Sequence, residues 1–116
     1  MLIATVLFAP AVYAGTTHAA RVEIESLLAH VYASGCEFYR NGTWHDSRAA
    51  EAHLRAKYQY LANRNRIDTA EEFIEKAATA SSISGRQYEV RCKGSPQRSS
   101  NGWLLEELAR FRAFSS

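Results

Sequence analysis

The sequence predicts one small α+β domain, in which about four helices cover a three-stranded antiparallel sheet and one disulfide closes the chain. Stretches with apolar residues at helical spacing alternate with three short strand-like stretches, in the order α-β-β-α-α-β-α. The dipeptide Asn41-Gly42, which is typical of tight hairpins, separates the first two strands. Cys36 begins the first strand and Cys92 ends the last. An antiparallel pairing of those strands therefore brings both sulfurs to one end of the sheet.

The first helix and the hairpin have the clearest local signals. We predict a helix over residues 18–34 that ends at Gly35, because glycine readily adopts the left-handed conformation after a helix. Strands at residues 36–40 and 43–45 then flank the Asn41-Gly42 turn. The face of the helix that is expected to be buried repeats every three to four positions: Ala20, Ile24, Leu27, Leu28 and Val31.

Two further helices follow the hairpin. Asp46 or Ser47 is expected to cap the second helix, which extends to about Ala62. A capping box of Thr69 and Glu72 then opens the third helix. The buried face of the third helix is predicted to consist of Phe73, Ile74 and Ala77.

The C-terminal part of the chain contains one strand and one helix. Residues 81–85 form a hydroxyl-rich loop, and residues 87–92 alternate in the pattern of a strand. We interpret residues 93–102 as an irregular polar loop. An amphipathic helix follows from Trp103, and no linker divides residues 15–116 into two domains.

The first fourteen residues indicate export. Residues 1–14 contain no charged side chain, and their short apolar run is broken by Pro10 before a stretch of small residues. This pattern is typical of a cleavable signal segment, although the basic residues that usually precede the apolar run are missing. The simplest interpretation is a true start further upstream. The alternative is an apolar helix packed on the domain.

Composition limits the classes of partner and cofactor. The 14 basic and 12 acidic side chains are intermixed, and the net charge of +2 creates no strong field for nucleic acid. In an exported protein, two cysteines indicate a disulfide. The alternative is a thiolate metal site completed by His30, His45 or His53, but no metal-binding spacing supports it. The sequence therefore indicates no metal and no cofactor, a periplasmic location, and no membrane span in the mature form.

The second helix contains an unusual lysine. Ala50, Leu54 and Leu61 lie on one narrow apolar face, yet Lys57 falls in the middle of that face and His53 lies on its edge. In one interpretation, the lysine stem packs on the core while the ammonium reaches water. In the other, His53 and Lys57 form one wall of a polar cleft.

The cleft hypothesis leads to two functional hypotheses. A cleft of cations and hydroxyls suits an anionic or polyhydroxylated ligand, such as a wall-peptide carboxylate or a glycan. This predicts a binding or interaction module for an envelope component or an exported protein, with an inhibitor or immunity protein as a special case. The alternative is a small hydrolase or transferase that uses residues 81–84 with His53 and Lys57. The predicted ligand-binding residues are Arg40, His53, Lys57, Ser82, Ser84 and Tyr88.

The order of several short motifs resembles the YfeK-like family of small exported bacterial proteins. The matching motifs extend over residues 24–108: Phe38-Tyr39-Arg40-Asn41-Gly42, Ala52-His53-Leu54 with Lys57, Phe73-Ile74, Ser81-Ser82-Ile83-Ser84-Gly85, and Tyr88. The resemblance implies a location in the cell envelope. It implies no established activity.

Overall fold

The computed structural model describes residues 15–115, which form the α+β domain that the sequence predicts. The elements are α1 (His18–Ala33), β1 (Glu37–Arg40), β2 (Thr43–His45), α2 (Ser47–Ala62), α3 (Ala70–Ala77), β3 (Glu89–Arg91), β4 (Arg98–Ser99) and α4 (Ser100–Ser115). The predicted signal segment, residues 1–14, lies outside the described residues. Within residues 15–115, none of the helices combines the length and the apolar character that crossing a membrane requires.

Helix α1 matches its predicted bounds within one residue. Thr17 caps the first turn, since its Oγ1 accepts a hydrogen bond from the Ala20 N–H at 3.1 Å. The helix ends at Ala33, and Gly35 has a φ of 66°, which glycine adopts without strain. The buried residues are those predicted: Ala20, Ile24, Leu27, Leu28 and Val31.

Strands β1 and β2 form the predicted hairpin. They are antiparallel, with Arg40 opposite Thr43 across the turn. The turn residues Asn41 and Gly42 have φ values of 49° and 88°, and both values lie in the left-handed region that a type I′ turn requires. Because so short a turn fixes the register of the two strands, Arg40 is held at the end of β1, directly before the turn.

The sheet is antiparallel with the strand order β2-β1-β3-β4. Strand β1 pairs with β3 so that Glu37 lies opposite Arg91. This register places Cys36 beside Cys92, and the two form a disulfide with their Cα atoms 4.4 Å apart. The predicted pairing is confirmed. The alternative prediction of a thiolate metal site is wrong, because the sulfur atoms of Cys36 and Cys92 are bonded to each other.

The structure adds a fourth strand to the three predicted ones. Strand β4 lies within residues 93–102, where the sequence predicted only a loop, and it pairs with β3. Helix α4 then begins at Ser100 instead of Trp103, and Ser99 Oγ accepts a hydrogen bond from the Gly102 N–H at 3.1 Å. A strand of two residues has too few side chains to show an alternating pattern, and a single capping hydroxyl is a weak signal.

The helices pack together on the sheet around one core. Helix α2 contributes its buried residues Ala50, Leu54 and Tyr58, and α4 contributes Leu104 and Leu108. The largest fully buried side chains come from every layer of the fold: Phe73, Ile24, Leu27, Leu28, Ile67, Ile74, Leu104, Val31 and Val90. One flank of α2 lies outside this core and faces β1 and the segment before β3, where the polar site is built.

Candidate functional site

Four polar side chains from three parts of the fold form the site. Arg40 ends β1, His53 and Lys57 lie one turn apart on α2, and Tyr88 directly precedes β3. Arg40 Nη1 lies 2.7 Å from His53 Nδ1, and His53 Nε2 lies 3.2 Å from the Tyr88 hydroxyl. Lys57 Nζ lies 3.2 Å from the same hydroxyl and 3.2 Å from the carbonyl oxygen of Ala80. We call Arg40, His53, Lys57 and Tyr88 the donor cluster.

The direction of each hydrogen bond in the donor cluster follows from the chemistry of its members. A guanidinium can only donate, so Arg40 donates to His53 Nδ1 and the imidazole proton lies on Nε2. That N–H then donates to the Tyr88 oxygen. The Lys57 ammonium can also only donate, and it donates to the same oxygen.

This arrangement leaves the Tyr88 hydroxyl with a proton to donate. Its oxygen accepts two hydrogen bonds, and its O–H has no acceptor among residues 15–115. Burial raises the pKa of Tyr88, although the charge of Arg40 opposes this, so the phenol keeps its proton at neutral pH. The site therefore presents an O–H beside the unused N–H groups of a guanidinium and an ammonium.

The donor cluster is positive and has no acidic member. Burial lowers the pKa of His53 to about 4, and the charges of Arg40, Lys57 and His45 add to the effect. Burial and then Arg40 also lower the pKa of Lys57. In the described part of the chain, no carboxylate lies within 4.0 Å of the side-chain nitrogens of Arg40 or Lys57. The ion pairs formed there all involve other basic residues.

The hydroxyl-rich loop holds the hairpin turn beside the donor cluster. Ser81 is buried, and its Oγ accepts hydrogen bonds from the Ile83 and Ser84 N–H groups and from Asn41 Nδ2, at 3.1–3.2 Å. Ser84 Oγ donates back to Asn41 Oδ1 at 2.5 Å. These bonds fix the loop to the turn that carries Arg40.

A small cavity opens next to the donor cluster, with a volume of about 30 Å³. Its walls are mostly apolar side chains of the hairpin, α2 and α4. Arg40, His45 and His53 line it and are partly exposed, so the cavity reaches the surface at these residues. Ser100 also lines it, and the Ser100 Oγ is buried without a hydrogen-bond partner among the described residues.

The structure brings together four of the six predicted site residues. Hydrogen bonds link Arg40, His53, Lys57 and Tyr88 into one cluster. Ser84, by contrast, bonds only to the loop and the hairpin turn, and Ser82 is exposed. That the four bind a ligand stays a prediction. The sequence analysis did not assign His45 and Ser100 to this site: it considered His45 only as a ligand of the alternative metal site and placed Ser100 in a loop.

The chemistry available at the site is hydrogen bonding and charge. Both ring nitrogens of His53 are occupied by Arg40 and Tyr88, and no hydrogen bond in residues 15–115 joins a serine of the loop to His53 or Lys57. The described residues contain no group of three His, Cys, Asp or Glu side chains that could hold a metal ion. The arrangement is suited to holding an anion.

The fold and the site define a disulfide-bonded α+β protein with a cationic cluster beside a small, mostly apolar surface cavity. The chain belongs to the family of unknown function DUF5329, which matches residues 18–112. It is similar to the uncharacterized protein YfeK of Salmonella typhimurium, with 56% identity over 52 residues. That alignment covers 44% of this chain and 41% of YfeK, so it spans less than half of the relative's length. The predicted resemblance to a YfeK-like family is confirmed. No solved structure matches the chain significantly.

Proposed function

We propose that this protein is an exported binding module that holds an anionic ligand at the donor cluster. The observation that carries the proposal is the presence of two half-buried cations beside a phenol O–H, with no carboxylate near them in residues 15–115. An envelope component or another exported protein would supply the anionic group. An inhibitor or immunity protein is a special case of the same function.

The two cations of the donor cluster destabilise the folded protein. Arg40 and Lys57 are partly desolvated and repel each other, so the folded protein is less stable with both charges than it would be with an anion between them. A carboxylate or phosphate would accept the unused N–H and O–H groups in charge-assisted hydrogen bonds. Stability that is given up in this way is typical of functional sites.

Two observations support export. The Cys36–Cys92 disulfide is the kind of bond that persists in oxidising compartments such as the periplasm. Residues 1–14 have the sequence pattern of a signal segment. Together they support a periplasmic location for the ligand as well as for the protein.

Binding can be tested with two simple anions, acetate and phosphate. We would titrate each into the disulfide-bonded protein and follow the backbone amide signals by NMR. Saturable shifts centred on Arg40, His53 and Tyr88 are expected for at least one anion. Lys57→Met should weaken that binding about tenfold, since a hydrogen bond to a charged group contributes about 1.5–3 kcal/mol.

Lys93→Met is the matched control. It removes the same charge from an exposed position in the loop after the disulfide, and it should leave the affinity unchanged. The proposal fails if neither anion produces a saturable shift at the cluster. It also fails if the two lysine variants lose affinity equally, because binding would then follow the overall charge of the protein.

A further inference from the structure

The cavity beside the donor cluster restricts the size of any group that enters it. A volume of about 30 Å³ has room for one or two water-sized groups, such as a methyl group with one polar atom. Its apolar walls favour a hydrocarbon group over a charged one. The apolar lining residues are Phe38, Ala49, Ala50, Leu54, Ala78 and Leu104.

Ser100 adds a specific polar contact to this apolar cavity. The residue is 4% exposed, and its Oγ has no hydrogen-bond partner in the described part of the chain. Its backbone N–H is already used, because it donates to the Tyr88 carbonyl oxygen at 3.0 Å. A buried hydroxyl without a partner is destabilising, so the cavity is expected to receive a group that bonds to it.

The donor cluster and Ser100 share this cavity, because Arg40, His53, Tyr88 and Ser100 all line it. The Ser100–Tyr88 backbone bond joins the start of α4 to the residue whose phenol belongs to the donor cluster. A small molecule in this cavity would therefore lie beside both the donor cluster and Ser100. The molecule needs an anionic group, a small apolar group and a hydrogen-bonding group on neighbouring atoms.

We infer that the ligand is a carboxylate whose α-carbon bears a methyl-sized group and an N–H or O–H. The carboxylate binds the donor cluster, the methyl-sized group fills the cavity, and the N–H or O–H bonds to Ser100. The inference rests on the proposed function, since it names the ligand of the same site. Two sources have this chemistry: the C-terminal residue of a peptide that ends in alanine, and a free 2-hydroxy acid such as lactate.

Ligand size is tested first, with N-acetyl-alanine, lactate, propionate and N-acetyl-leucine as probes in calorimetric titrations. The alanine derivative should bind at least tenfold more tightly than the leucine derivative, because the larger side chain exceeds the cavity. Leu104→Ala enlarges the cavity and should reduce this preference. Whichever of N-acetyl-alanine and lactate binds more tightly identifies the source.

The role of Ser100 is tested with lactate and propionate, which differ by one hydroxyl. Lactate should bind about fivefold more tightly, as expected for one neutral hydrogen bond. Ser100→Ala should abolish this difference, because lactate then loses the contact that propionate cannot make. Ser82→Ala is the matched control, because it removes an exposed hydroxyl that does not line the cavity.

The outcomes separate the inference from the proposed function. If none of the four acids binds but phosphate does, the proposed function stands and the carboxylate inference is overturned. If phosphate does not bind either, the proposed function itself fails. If all four bind equally at the donor cluster, the proposed function stands and the size inference is overturned. If lactate keeps its advantage in Ser100→Ala, the Ser100 contact is overturned, and the hydroxyl is satisfied by water.

Discussion

The stability of the protein is expected to depend on the protonation of His53. Four groups face its ring: Arg40 from β1, His45 from β2, Lys57 from α2, and the Tyr88 hydroxyl. Protonation would place a proton on Nδ1, which accepts from Arg40, so the hydrogen bond would be replaced by repulsion between two cations. Acidification should therefore destabilise the fold through this residue.

The sign and the size follow from the pKa of His53, which falls from 6.5 to about 4 on folding. Between these values the unfolded chain binds more protons than the folded one, so stability is complete above pH 6.5 and decreases as the pH falls to about 4. If the ring were fully shielded from solvent, the whole shift would change the free energy of unfolding by about 3 kcal/mol. Because the ring is partly exposed, we expect about 1–2 kcal/mol.

The assay compares urea unfolding of the wild type and of His53→Gln between neutral pH and pH 4. Glutamine can accept from Arg40 and donate to Tyr88, but it does not titrate. The wild type should lose about 1–2 kcal/mol more than the variant over this range. His18→Gln, a change at an exposed residue, should behave as the wild type does. Parallel losses in wild type and His53→Gln would refute the reasoning.

Three further predictions concern stability. In urea unfolding, Lys57→Met should change the free energy of unfolding by less than about 1 kcal/mol. The variant loses two hydrogen bonds, but it also loses the cost of desolvating the ammonium and its repulsion by Arg40. A loss above about 2 kcal/mol would show that Lys57 has a structural role. Replacing Cys36 and Cys92 by alanine should cost about 4 kcal/mol in the same assay, because their sequence separation of 56 closes a long loop; an unchanged midpoint would contradict this. Gly42→Ala should cost about 1 kcal/mol in thermal unfolding, because its φ of 88° strains other residues; an equally stable variant would argue against the type I′ turn.

The hairpin and the disulfide could be predicted from the sequence because their causes are local. Asn41-Gly42 selects one turn type, and the turn sets the pairing of the strands on either side. Once β1 and β3 are antiparallel, the cysteines at their ends must meet. The same holds for α1, where a cap, an apolar face and Gly35 agree within one residue of the observed bounds.

The sequence predicts all four members of the donor cluster, two of them from a local pattern. Lys57 and His53 were singled out because they interrupt the apolar face of a helix, and helical spacing depends only on the sequence. Their partners Arg40 and Tyr88 were named as candidates. The hydrogen bonds that join them to His53 connect residues 13 and 35 positions apart, and no local pattern encodes such bonds.

The cavity and Ser100 were decided only by the tertiary structure. A buried serine and an exposed one look the same in a sequence, and Ser100 became buried because β4 and α4 formed where a loop was expected. The volume of the cavity depends on how the hairpin, α2 and α4 pack against one another. Sequence patterns report which face of each element turns inward, whereas the space left between elements is a property of their packing.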